Sequence, residues 1–202
     1  MNGRWGNTRR VVLAAMLLSV PSQAVAGERQ IRPFIGTTFE GGTTFIDSEN
    51  AAGKAHGLIG VSAVWLGEIF GVEVDLAHVN GFFQAGDRRL VLDSRVTTLM
   101  GNVVVAAPAR KTQYGLRPYL SGGAGLMWTH IGYVFGVFQV AETMGALDLG
   151  GGAQGYLTNR IGVGWDVRRF NSLSKTGEPG ATTTGKEQLS FWRASMALVI
   201  RY

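Results

Sequence analysis

Three histidines, His56, His78 and His130, are the only side chains in this cysteine-free chain that ordinarily titrate near neutral pH. Hydrolysis through a side-chain nucleophile needs that nucleophile beside a base, with a third group to orient the base. Ser62 and Ser121 are the serines near the histidines, and neither has an identifiable base. His78 is followed two residues later by Asn80, and His130 by Gly132, so no catalytic residue is assigned. Asp47 and Glu49 stand as a lone acidic pair without further ligands, so no metal set emerges. GxGxxG-like spacings recur among 30 glycines, but none opens a helix, and no cofactor is expected.

The chemistry that remains is electrostatic and depends on which way each side chain points. Glu73 and Asp75 alternate with Val72, Val74 and Leu76. Asp148 and Gln154 alternate with Leu147, Leu149 and Ala153. Asp166 and Arg168 alternate with Ile161, Val163, Trp165 and Val167, and Arg193 and Arg201 alternate with Trp192, Ala194, Met196, Leu198, Ile200 and Tyr202. A period of two puts the charged set on one face of each strand and the apolar set on the other. If the apolar faces meet lipid, then Glu73, Asp75, Asp148, Asp166, Arg168, Arg193 and Arg201 share a narrow lumen as a polar plug. Buried charge is tolerable there only when it is paired.

The elements that would position these residues are eight period-two stretches: 31–40, 54–65, 69–80, 90–106, 116–130, 143–157, 160–172 and 186–202. The chain is 46% hydrophobic and 16% charged. No apolar run after residue 26 is long enough for a spanning helix, a pattern expected of strands that are each half apolar. The connections alternate in length, long after odd strands and short after even ones, with residues 131–142 read as a long one. An even strand number with this alternation suits an all-β, eight-stranded antiparallel up-and-down transmembrane β-barrel with both termini periplasmic. The fourth stretch leaves its facing open, since either Thr97, Leu99 and Val103 or Val96, Met100 and Val104 suit the lipid side. Glycines within 121–126 and 150–155 suit strand bending and a crowded interior.

Residues 1–26 read as a signal peptide: Arg4, Arg9 and Arg10 precede the apolar run Val11–Val20, Pro21 breaks it, and Ala24–Ala26 offers small residues for cleavage. Residues 27–202 form the barrel domain. The 19 basic residues less those three leave 16 against 14 acidic, a net +2 in place of +5. No polybasic block remains to bind nucleic acid.

The stretches RPYLSGGAGLMW (117–128) and GGGAQGYLTNRIGVGWDVRRF (150–170), with the aromatic-terminated strand SFWRASMALVIRY (190–202), resemble the small eight-stranded outer-membrane barrels related to the OmpA transmembrane domain and OmpX. The resemblance implies an integral protein of the bacterial outer membrane, in contact with outer-membrane lipid. Its last strand resembles the signal read by the barrel-assembly machinery during insertion, carried here by Trp192, Met196, Leu198, Ile200 and Tyr202, with Tyr where the usual last residue is Phe. Members of that family act as anchors, adhesins or small-solute pores. Some small barrels modify lipids, but the His-x-Ser pattern of the lipid A deacylases is absent.

Aromatics near strand ends, among them Trp65, Phe70, Tyr114, Trp128, Trp165, Phe170, Trp192 and Tyr202, suit two interfacial girdles, while phase turns Tyr119 and Tyr156 inward. The stretch GYVFGVFQV (132–140) is apolar where an external loop should be polar. It is read as strands continuing past the membrane, with a surface-interaction loop at Tyr133, Phe135 and Phe138 as the alternative. The resulting expectation is a non-enzymatic barrel with a plugged lumen and a structural or surface-interaction role through its external loops. A narrow pore and a lipid-modifying enzyme are the alternatives. The sequence names no surface ligand.

Overall fold

The computed structural model describes residues 27–43, 55–81, 91–108, 115–133, 139–173 and 189–202. They form eight strands: β1 (Glu28–Thr43), β2 (His56–Leu66), β3 (Phe70–Asn80), β4 (Val91–Ala106), β5 (Leu116–Tyr133), β6 (Gln139–Tyr156), β7 (Ile161–Leu173) and β8 (Leu189–Arg201). Each pairs antiparallel with its neighbour in the chain, and β1 pairs with β8 to close the barrel. The eight expected stretches are all strands, with ends displaced by a few residues. The leader read in residues 1–26 lies outside the described residues, as do Asp47, Glu49, Tyr114, Phe135 and Phe138.

Alternation is what turns these stretches into one closed sheet. A strand with a single apolar face can bury every backbone donor and acceptor only if the sheet has no edge. On β3 the polar face, with Glu73 and Asp75, is buried while Val72, Val74 and Leu76 are exposed. The same inversion runs around the ring. Ile31, Ile35, Ile59, Val61, Val103, Leu120, Leu149, Val163, Met196 and Leu198 are all exposed.

Two even connections are tight. Between β2 and β3, Gly67 N–H donates to Phe70 O (2.8 Å). Between β6 and β7, Leu157 and Thr158 N–H donate to Ile161 O, and Thr158 Oγ1 accepts from Ile161 N–H (3.0 Å). The reading of 131–142 as a long connection is corrected: Ile131 pairs with Val140 and Gly132 with Gln139, which leaves only 134–138 between the strands. A run apolar on both faces carries no alternation to mark it as strand, yet its backbone goes on pairing. Near the top of β1 the register with β8 shifts between Phe39 and Gly42, at a bulge where Glu40 takes φ 48°.

The interior is layered. At the end where the loops after odd strands emerge, the loop end, lies an apolar cap including Leu58, Val79, Val96, Met127, Met144, Phe170, Leu189 and Phe191. Phe170 and Phe191 stack with centroids 5.0 Å apart. Phe170 therefore lines the lumen and not an outer girdle. Val64, Leu66, Val104, Ala106 and Tyr119 form a second apolar wall nearer the opposite end. Charged groups fill the space between and below. The open question on β4 is decided: Val96, Met100 and Val104 face inward with Asn102, while Leu99, Val103 and Val105 are exposed. Inward glycines make room for large neighbours, and a methyl group at Gly60 would overlap the Phe34 ring.

Candidate functional site

Two arginines bridge the middle of the lumen. Arg168 on β7 places Nη2 3.0 Å from Glu73 Oε2 on β3 and 2.9 Å from Asp166 Oδ2, with Asp148 Oδ2 3.7 Å from its Nη1. Arg193 on β8 donates through Nη1 and Nη2 to the two oxygens of Asp75 on β3, at 2.8 and 2.9 Å. Both arginines are only 1% exposed. Ser195 and Tyr119 hydroxyls donate to the two oxygens of Asp166. The Arg193 guanidinium also lies 4.8 Å from the Phe34 ring centre and 5.0 Å from that of Phe170, joining the charge layer to the apolar cap. In a low-dielectric interior such bidentate, charge-assisted bonds are what make buried ions tolerable.

Arg201 is not in this layer. It lies at the mouth where the described chain begins and ends, and donates from Nε to Glu28 Oε1 (2.6 Å). Glu28 also accepts from Gln30 and from the Tyr156 hydroxyl, and pairs with Arg117 (3.5 Å). Arg117 further donates to three backbone carbonyls, Ala107 (2.8 Å), Gly67 (2.9 Å) and Glu68 (2.7 Å), which tie down the β2–β3 turn and the chain leaving β4. Arg32 donates to the side-chain oxygens of Gln30 and Gln154 and sits over the Tyr119 ring. Between Arg32 and the midplane carboxylates is a cavity lined also by Ser62 and Ser195, with room for about one water molecule.

Glu28, Arg32 and Arg117 were missed by sequence reading. Arg32 and Arg117 each adjoin a proline that blurs the alternation, and Glu28 precedes the first clear alternating stretch. Of the other named residues, Met196, Leu198, Ile200 and Tyr202 are exposed on the outer face, and Trp192 is partly covered. Tyr133 ends β5 opposite Val91. His78 points outward, its Nδ1 2.8 Å from Thr97 Oγ1 and its Nε2 3.0 Å from Asn80 Oδ1. Among the described residues no group of three or more acidic or histidine side chains is placed to hold a metal.

No protein-family model matches the chain, and no curated protein matches it in sequence. Solved structures match in fold. Neisserial surface protein A aligns at TM-score 0.59 and 12% identity, covering 87% of this chain and 97% of that one. The outer membrane protein OprG from Pseudomonas aeruginosa aligns at TM-score 0.57 and 12% identity, covering 87% and 96%. A major outer membrane protein from Thermus thermophilus aligns at TM-score 0.54 and 13% identity, covering 88% and 100%. The fold is thus that of the small outer-membrane barrels.

Proposed function

We propose that this chain is an integral outer-membrane barrel of a diderm bacterium, inserted by the barrel-assembly machinery with its termini periplasmic. In this reading its lumen is plugged, it catalyses no reaction, and its role is structural or surface-interacting through the loop end. The observation that carries the reading is the inversion of polarity. Large apolar side chains such as Leu120, Leu149 and Met196 are exposed around the whole ring, while Arg168 and Arg193 are buried inside it. Exposed apolar area costs about 25 cal/mol per Å² in water, a cost that a bilayer removes.

Support for the plug is threefold. The midplane arginines cross the bore, the apolar cap lies above them, and the inward carboxylates lie within ion-pair distance of guanidinium groups: Glu73, Asp166 and Asp148 around Arg168, Asp75 against Arg193, and Glu28 between Arg117 and Arg201. An eight-stranded barrel encloses little beyond its side chains.

Support for surface interaction comes from the length of three strands at the loop end. β5 and β6 pair as far as Gly132 and Gln139, and β4 pairs with β5 as far as Val91. Strands that continue this far towards the external loops offer a surface on which a partner can dock.

Expression, outer-membrane fractionation and planar-bilayer recording test the whole reading. The expected product sediments with the outer membrane, migrates differently before and after heating, and gives no discrete channels. A soluble periplasmic product overturns the membrane reading. Reproducible channels that change when Arg168 or Asp166 is neutralised overturn the plug. Altered envelope lipids by mass spectrometry would restore the enzyme.

A further inference from the structure

We infer that Arg169, Trp192 and Asn171 form a binding site on the outer face of β7 and β8 for the phosphate headgroup of a membrane amphiphile, an inference that rests on the membrane reading above.

Arg169 points outward and is exposed, unlike the five lumenal arginines. Its guanidinium carbon lies 5.5 Å from the centre of the Trp192 ring, and its Nε donates to Asn171 Oδ1 at 3.4 Å. No carboxylate among the described residues pairs with it. A guanidinium laid over an aromatic face is oriented but not neutralised, and its remaining N–H groups keep the fork that matches two phosphate oxygens.

Depth selects the ligand. From Ile161 to Arg169 the strand climbs eight residues, which at about 3.4 Å per residue and a tilt of about 40° is roughly 21 Å, close to the height of an apolar barrel band. Arg169 therefore sits near the top of such a band, where it and Asn171 interrupt the outward apolar run of β7 before Leu173. Directly beneath it in register are Gly151, which carries no side chain, and the small side chains of Val167 and Ala194, and below those the exposed Trp165 and Met196. A charged head at Arg169 with an acyl tail along this strip satisfies both halves of the site, which a free anion would not.

The test is native mass spectrometry of the purified barrel in neutral detergent, with dimyristoyl phosphatidic acid and dimyristoyl phosphatidylcholine as probes and inorganic phosphate as competitor. The expected result is preferential retention of phosphatidic acid, lowered about tenfold by R169Q and about threefold by W192L. R95Q, which changes another exposed loop-end arginine, should leave it unaltered, and millimolar phosphate should not displace the lipid. Equal retention by wild type and R169Q overturns the site. An equal loss in R95Q assigns the effect to diffuse charge, and displacement by inorganic phosphate assigns it to an anion site without a tail; both overturn the proposal. Heat-modifiable migration separates the two levels: its loss in R169Q alone marks a folding defect, which the W192L result then decides, whereas its absence in the wild-type chain overturns the membrane reading itself.

Discussion

Arg168 on β7 holds both carboxylate oxygens of Glu73 at 3.0 Å, and β3 is the strand four places away in the ring of eight, on the opposite wall of the barrel. One side-chain pair thus spans the bore. Arg168 also serves Asp166 and Asp148, so the two partners are not equivalent. R168M leaves three buried carboxylates without their cation and should cost about 5 kcal/mol, whereas E73Q leaves Arg168 with two acids and should cost about 3 kcal/mol. Urea titration of the folded band in unheated electrophoresis checks the order.

The charge layer and the apolar cap should make separable contributions to the seal. Neutralising the midplane with E73Q and R168Q together leaves Phe170, Phe191, Met127 and Val96 closed above it, so the double variant should remain silent in planar bilayers. Adding F170A and F191A removes the stacked pair and should give the first measurable current. Current from the double variant alone would mean that the cap does not seal.

Arg117 should act as the fastener of the terminal-end mouth. Its three bonds to backbone carbonyls hold the β2–β3 turn and the segment after β4. R117A should cost about 2–4 kcal/mol, since hydrogen bonds to charged groups are worth roughly 1.5–3 kcal/mol each and the site is close to water. Lysine should rescue only part, because a single ammonium cannot reproduce the guanidinium fork. Hydrogen exchange at Gly67 and Ala107, whose N–H groups donate to Phe70 O and Pro118 O, should quicken in both variants.

G60A should destabilise by about 1–3 kcal/mol through overpacking. The added methyl would meet the Phe34 ring and also Leu76 O at 2.5 Å. F34L in the G60A background should therefore recover some stability but not all, because the carbonyl belongs to the neighbouring strand and cannot rotate away. Full recovery would show that only the ring resists.

Residue 50 falls in sequence between β1 and β2 and residue 183 between β7 and β8, pairs joined at one end of the barrel, while residue 111 falls between β4 and β5, joined at the other. The chain has no cysteine, so single variants N50C, T183C and K111C each offer a unique thiol. On intact cells an impermeant maleimide should label the first two and spare the third. The reverse pattern would invert the proposed orientation.

How far the chain could be read depended on the kind of residue. On β3, β7 and β8 charged and apolar residues alternate cleanly, so the facing of Glu73, Asp75, Asp166, Arg168 and Arg193 follows from period alone. On β4 both faces mix apolar with polar residues, Thr97, Leu99 and Val103 on one and Val96, Met100, Asn102 and Val104 on the other, so the inward turn of the second set follows only from pairing with β3 and β5. The apolar run from Gly132 lacks alternation as well, and its reading as continuing strand holds for β5 to Tyr133 and for β6 from Gln139. Phe170 shares its parity with Asp166 and Arg168, yet an aromatic near a strand end reads as easily for a girdle as for a cap.

The sequence by itself determined that the chain makes strands of alternating polarity, how many there are and which charges share a face, because side-chain direction repeats every two residues regardless of context. Only the tertiary structure decided which charges meet. Arg193 finds Asp75, Arg168 finds Glu73, and Arg201 leaves the midplane for Glu28, because partner choice depends on barrel closure and on the stagger between strands, which bring together residues more than 90 positions apart. The cap of Phe170 and Phe191 and the outward seat of Arg169 on Trp192 have the same origin: each joins two strands whose register is fixed only when the sheet has closed on itself.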